Sequence, residues 1–238
     1  MPTELRVTEI FHSIQGESSR VGLPTVFVRL TGCPLRCAWC DTAYAFGGGE
    51  LATLDDILQR VARFDCATVC VTGGEPLAQK NCLLLLAALC DAGYSVSLET
   101  SGALDIGGID PRVARIVDLK APGSGEAARN RWENLELLTA HDELKFVLAS
   151  REDYDWAVAA CRTLSAFALR DGDSPSGAAN SASRAGKRQF FERCPVLFSP
   201  VQGQLDPALL AQWILDDRLP LRFQLQLHKV LWGNVQGR

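Results

Sequence analysis

The chain has 238 residues, 47% hydrophobic and 22% charged, with a net charge of −4, which suits a soluble α/β protein of one or two domains. That balance offers no basic surface for nucleic acid or an anionic membrane, and no apolar run is long enough to span a bilayer. The start, MPTELRVTEI, lacks the basic and apolar regions of an export signal, and nine cysteines, an odd number, argue against a disulfide scaffold, so a cytoplasmic protein is expected.

Short apolar β-branched runs alternate with helical patterns along the chain. The first predicted strand is 25–30 (TVFVRL), and just past it comes TGCPLRCAWCDT, 31–42, with Cys33, Cys37 and Cys40. A helix is expected over 53–64, opened by Thr53 with acids in its first turn. Then follow strand 67–72, helix 77–92, strand 94–99, strand 113–119, helix 130–140, strand 143–149 and helix 152–167. Residues 171–188, DGDSPSGAANSASRAGKR, have almost no large apolar groups and are expected to form a mobile surface insertion. Strand 195–199, helix 206–217 and strand 221–227 complete the series, the helix begun by Asp206 at N-cap and Pro207 at N1. No linker or repeat divides the sequence, so a single domain over 1–238 is expected.

Alternating strands and helices predict a mainly parallel sheet with right-handed crossovers. About six strands are too few for a closed eight-stranded barrel, so the expected fold is an open, partial β/α barrel whose apolar strands are covered on both faces. TGGEP, ETSG, DLKAPGSG and SPVQG each follow a predicted strand, as does the cysteine stretch. In a parallel array these ends share one rim, where active sites assemble.

Three cysteines in eight residues are an unusual set. Disulfides need pairs, and structural zinc sites take four ligands. Three thiolates suit a cubane iron–sulfur cluster with one iron left open to another ligand, and a zinc knuckle with a remote fourth ligand is the alternative. Cys66, Cys70, Cys82, Cys90, Cys161 and Cys194 sit mostly in apolar surroundings and read as small buried hydrophobes.

The C-x₃-C-x-Φ-C spacing, with Trp39 before Cys40, resembles the signature of the radical S-adenosylmethionine (SAM) superfamily. VTGGEP, 71–76, resembles that superfamily's glycine-rich loop after the second strand. The stretch 10–42, IFHSIQGESSRVGLPTVFVRLTGCPLRCAWCDT, with DLKAPGSGE at 118–126 and LQLHKVLWG at 225–233, is similar to the 7-carboxy-7-deazaguanine synthases. The resemblance implies a radical SAM core, possibly with shortened or missing helices, that converts 6-carboxy-5,6,7,8-tetrahydropterin to 7-carboxy-7-deazaguanine with loss of ammonia, on the route to queuosine. It also implies a homodimer and an external electron donor such as flavodoxin.

By the same resemblance a [4Fe–4S] cluster falls on Cys33, Cys37 and Cys40, and Mg²⁺ on Thr42. SAM falls on Trp39, Cys40, Asp41, Gly73, Gly74, Glu75, Asp118, Leu119 and Lys120, Glu75 offering its charge near the SAM ammonium. Substrate falls on Ile14, Gln15, Gly16, Glu17, Arg29 and Thr72, and on Ser199, Pro200, Val201, Gln202 and His228. Glu17 suits the donor edge of a pterin and Arg29 a carboxylate. Lys120, Lys145 and Lys229 are further candidates that sequence does not separate from surface lysines. The chain departs from the family at Ser18, often Gly, and in running on past the His-Lys pair. A glycyl-radical activating enzyme shares the cysteine spacing, and a non-enzymatic cluster-binding module is the more distant alternative.

Overall fold

Among the described residues, nine strands form one sheet. In chain order they are β1 Glu4–Ile14, β2 Pro24–Leu30, β3 Glu50–Thr53, β4 Thr68–Gly73, β5 Ser95–Thr100, β6 Ala114–Leu119, β7 Glu143–Leu148, β8 Val196–Pro200 and β9 Arg222–Phe223. The structure is a computed structural model that describes residues 3–168, 194–233 and 235–237. The expected insertion at 171–188 therefore lies outside the described residues.

The spatial order is β3-β1-β2-β4-β5-β6-β7-β8-β9. From β2 onward each neighbour is parallel, whereas β1 runs antiparallel to both β2 and β3. The sheet is open, with β3 and β9 as its edges. The six predicted strands from 25–30 to 195–199 each lie within a residue of an observed one.

Side chains alternate across the parallel strands. One face carries Val26, Val28, Val69, Val71, Leu98, Val117, Leu144, Phe146 and Phe198, all in the main hydrophobic core. Over it pack helices α1 Leu54–Ala62, α2 Cys82–Asp91, α3 Arg151–Ala168 and α4 Pro207–Asp216. Two start as the sequence implies: Thr53 Oγ1 accepts from the Asp56 N–H at 3.2 Å, and Asp206 Oδ1 from the Ala208 N–H at 2.9 Å. The opposite face is not the apolar surface expected from near-continuous apolar strands. It is largely polar and lines a cavity.

Three local expectations are corrected. Residues 130–140 form only a 3-10 turn, Trp132–Leu137. Asn134 Nδ2 donates to the carbonyls of Gly102 and Leu104 at 3.0 and 2.7 Å, and Asn130 bonds both backbone groups of Lys120, so their amides pin the backbone to its neighbours. Predicted strand 221–227 shortens to Arg222–Phe223, because the chain leaves the sheet to meet the 15–18 loop and enters a short helix, α5 Leu227–Trp232. The N-terminal strands β1 and β3 have no counterpart among the predicted elements.

Candidate active site

The inward row of side chains builds the site. Arg29 on β2, Thr72 on β4, Glu99 on β5, Asp118 on β6 and Lys145 on β7 line a cavity of about 290 Å³, the scale of a small-molecule site. Arg29 lies in register with Thr72, and Asp118 with Lys145. Charges at this depth persist only if paired. Arg29 Nε donates to Glu9 Oε1 at 2.7 Å, and its guanidinium lies 5.6 and 5.8 Å from the Phe11 and Tyr44 ring centres. Tyr44 Oη also donates to Glu9, at 2.8 Å. Thr72 Oγ1 donates to Glu99 Oε2 at 2.9 Å. Asp118 Oδ2 sits 3.1 Å from Lys120 Nζ and 3.7 Å from Lys145 Nζ, and Lys145 also pairs with Glu17.

The carboxyl ends of the strands hold the cysteine loop. Cys33, Cys37 and Cys40 are free, half-buried thiols on the cavity wall beside Trp39, Asp41 and Thr42. The loop is fixed from outside: the Ala38 N–H donates to the Ser124 carbonyl at 3.0 Å and the Arg36 N–H to Glu126 Oε1 at 2.6 Å. Gly74 must be glycine, since a β-carbon there would fall 2.7 Å from the Cys33 β-carbon and press on the Gly32 backbone. Asp41 pairs with Lys229 at 3.1 Å, drawing the C-terminal segment over the same mouth.

The amino ends are closed by the loop after β1. Because β1 is antiparallel to β2, the SIQGE stretch arrives beneath the parallel strands, not on the rim with the cysteines. Residues 15–23 then cross toward β7, with Arg20 Nη1 on the Ser95 carbonyl at 3.1 Å and the Ser19 N–H on Glu143 Oε2 at 2.9 Å. Ser18 has φ 68°, the left-handed region that favours glycine. Gln224 secures it by accepting from the Ser18 N–H and donating to its carbonyl, at 2.7 and 2.8 Å. The Leu227 N–H donates to the Gly16 carbonyl at 2.9 Å, so the C-terminal segment bridges the open side of the sheet. A side chain at Gly16 would collide with the His228 ring.

Glu17 is buried here. Burial works against its charge, but Lys145 foremost, then His228 and a bond from Gln226, bring its pKa down to about 2. Glu17 Oε1 accepts from Gln226 Nε2 at 2.7 Å, and the Glu17 N–H is held by Gln15 Oε1 at 3.1 Å. Gln15 Nε2 reaches Glu99 Oε1 at 3.2 Å.

Most of the residues singled out in the sequence meet on this cavity. Ile14, Gln15, Gly16, Glu17, Arg29, the three cysteines, Trp39, Asp41, Thr42, Thr72, Gly73, Gly74, Asp118, Lys120, Val201 and His228 all line it. Five expected residues stand elsewhere. Leu119 points to the opposite face by strand alternation and is core. Ser199 and Pro200 are buried without reaching the cavity, and Gln202 is exposed. Glu75 is corrected as a partner for an ammonium, for it is fully buried off the wall. Its carboxylate instead accepts from Thr100 Oγ1 and the Ser101 N–H at 2.8 Å and from the Leu77 N–H at 3.1 Å.

Glu9, Tyr44, Glu99, Gln226 and the tail at 235–237 line or support the cavity without having been singled out. The signal for Glu99 was its parity within SVSLET and its place as the first residue of the ETSG rim motif.

The residues fit the group that the cysteine spacing implies. Among the described residues, no three His, Cys, Asp or Glu side chains converge on a single ion. A cubane takes one thiolate per iron, and three free thiols around one mouth match that need. Asp118 Oδ1 and Gln226 Oε1 are buried acceptors without a partner among the described residues, both on residues that line the cavity. Acceptors left in this state call for a ligand's donors.

The sequence profile of the Radical SAM superfamily matches residues 27–172. An open parallel sheet with three cysteines at its carboxyl rim is thus a radical SAM core, with a [4Fe–4S] cluster and SAM as its cofactors. The chain is 45% identical to a 7-carboxy-7-deazaguanine synthase of Chlorobaculum tepidum over 98% of its own length and 97% of the other. It is 39% identical to one of Koribacter versatilis over 96% and 97%. The crystal structure of QueE from Escherichia coli shares the fold, with a TM-score of 0.69, 22% identity, and coverage of 94% of this chain and 95% of that one. The chain belongs to the 7-carboxy-7-deazaguanine synthase family.

Proposed function

We propose that this enzyme converts 6-carboxy-5,6,7,8-tetrahydropterin to 7-carboxy-7-deazaguanine and ammonia. The observation that carries the reading is the pairing, in one cavity, of an ionised acceptor at Glu17 with a partly free guanidinium at Arg29. A pterin's aminopyrimidinone edge offers N–H donors to the first, and its carboxylate suits the second. Among the described residues Arg29 is bonded only through Nε, which leaves its outer N–H groups for a bidentate contact.

When bound, the cluster and SAM supply a 5′-deoxyadenosyl radical for hydrogen abstraction. The chain's own part is positioning. Glu17, Arg29, Thr72 and the Ile14–Gly16 backbone would hold the pterin, His228 would press its near edge, and the 15–23 floor with the C-terminal segment would exclude water. Trp39, Asp41, Gly73, Gly74, Asp118 and Lys120 would hold SAM. The ring contraction releases one ammonia and is redox-neutral overall, so SAM can be regenerated each turnover.

Thr42 would give Mg²⁺ an oxygen ligand, with substrate and water completing the shell. In that case Thr42→Ala raises the Mg²⁺ concentration for half-maximal turnover about tenfold. An unchanged Mg²⁺ titration removes Thr42 from the metal site.

The reading extends to a single cytoplasmic domain on the queuosine route to modified tRNA. Its free thiols suit a reducing compartment. Electrons would come from a flavodoxin-like donor. Exposed Leu225, Val230 and Leu231 beside the last strand would supply the contact of a homodimer.

The test is anaerobic reconstitution with iron and sulfide, then SAM, dithionite, Mg²⁺ and 6-carboxytetrahydropterin. Accumulation of 7-carboxy-7-deazaguanine is expected. SAM cleavage with no deazaguanine overturns the substrate assignment and leaves the superfamily assignment intact.

A further inference from the structure

Lys145 has no role in the reading so far, yet it ends the inward row of side chains on the cavity wall. It lies on β7 between Leu144 and Phe146, which face the core, so strand alternation turns it inward. It is 7% exposed, and a lysine is almost never buried so deeply without a partner. Its ammonium reaches Glu17 and lies 3.7 Å from Asp118 Oδ2, with Glu99 bearing on it from β5. On Glu17 itself bear Lys145 from β7 and His228 from α5.

We propose that Lys145 is a positioning residue for substrate recognition, holding Glu17 as a carboxylate that presents acceptors only. This rests on the proposed reading that Glu17 receives the pterin's donor edge.

The geometry supports it on two counts. Lys145 engages Oε2 and Gln226 Nε2 engages Oε1, so each oxygen is fixed and keeps a second lone pair. A protonated Glu17 would set an O–H donor against the pterin's donors, the wrong polarity for that edge. Burial alone drives a carboxyl toward that neutral form, and Lys145 is the largest opposing influence on Glu17. Removing the ammonium therefore raises the Glu17 pKa, and the loss of recognition grows as pH falls through the new value.

The experiment uses the reconstituted, SAM-loaded, unreduced enzyme and pterin-6-carboxylate as a non-reacting fluorescent probe. Its Kd is measured for wild type, Lys145→Gln and Lys145→Arg from about pH 7.5 to about pH 5.5, a span that straddles a carboxyl released from its cation but still buried. The expected result is a variant-to-wild-type Kd ratio for Lys145→Gln that rises about tenfold over that span, equivalent to one pKa unit of differential interaction. Lys145→Arg restores a flat ratio. Thermal melts at both pH values report folding.

A ratio for Lys145→Gln that is flat with pH overturns the proposal, whether or not binding is weaker overall. If Lys145→Gln fails to fold, the same titration on Lys145→Arg decides. An Arg variant that weakens progressively toward low pH contradicts the proposal, and a flat one supports it. Glu17→Gln separates the two layers. If that variant binds the probe as wild type does, the Glu17 reading itself fails. If it binds more weakly at every pH while Lys145→Gln stays flat, only the role of Lys145 is lost.

Discussion

Cys37→Ala loses the visible chromophore of its iron–sulfur cluster, and reductive cleavage of SAM falls at least about 100-fold, because a three-thiolate site has no spare ligand. The expectation follows from position as well as spacing. Cys37 lies between Arg36, whose N–H is anchored on Glu126, and Ala38, anchored on Ser124. The loop therefore cannot swing to recruit another thiol. The other six cysteines are not on the cavity wall. Iron and sulfide content, with electron paramagnetic resonance of the reduced protein, reads the result directly. Cys66→Ser serves as the control, since among the described residues Cys66 bonds only the Pro24 and Thr68 carbonyls, and the change is expected to leave the iron content untouched. A full cluster with SAM cleavage in Cys37→Ala would falsify the assignment of the cysteine loop.

The second large effect is on folding. Glu75 is fully buried and joins the turn after β4 to the end of β5, while its own N–H donates to the Gly32 carbonyl of the cysteine loop at 2.8 Å. Glu75→Leu removes the acceptor for the Leu77 N–H and for the Ser101 N–H and Thr100 hydroxyl, and leaves the last two buried and unpaired. The cost is about 3 kcal/mol, which for a chain of this size lowers Tm by roughly 6–12 °C. SAM affinity falls as well, because the Gly73–Gly74 backbone is no longer held against Cys33. Glu75→Gln discriminates between the two roles of this carboxylate. A direct partner of the SAM ammonium would lose SAM binding in that variant with Tm unchanged. The scaffold role predicts a loss in both, since an amide turns a donor toward Ser101 and Thr100.

The contrast over Glu75 explains what can be read from sequence. In VTGGEP a charge beside two glycines looks like a ligand. The groups that consume it, Thr100 and Ser101, lie 25 and 26 residues away and meet it only after β4 and β5 pair. The parallel strands were legible because their outward residues form β-branched apolar runs that local pattern detects. Their inward residues were not legible from pattern, because Arg29, Thr72, Glu99, Asp118 and Lys145 each interrupt such a run singly; Arg29, Thr72 and Asp118 were reached through the family resemblance alone. Only the sheet register collects them into one wall. β1 escaped because its alternation breaks at the irregularity between Val7 and Glu9, and because SIQGE at its end reads as a motif rather than as a strand terminus. The same antiparallel strand carries that motif to the amino ends of the sheet, a placement that strand-end reasoning does not supply. At 130–140 the apolar spacing suggested a helix, and the outcome was decided by two asparagine side chains bonding backbone far from their own turn.

The central claim is that the inward row and the cysteine rim together convert a carboxylated pterin without consuming the radical source. Its most direct measurement is the ratio of 7-carboxy-7-deazaguanine formed to SAM lost, in the reconstituted enzyme with excess 6-carboxytetrahydropterin. The account predicts many product molecules for each SAM destroyed. One 5′-deoxyadenosine released for every turnover, or SAM loss with no deazaguanine at all, would contradict it.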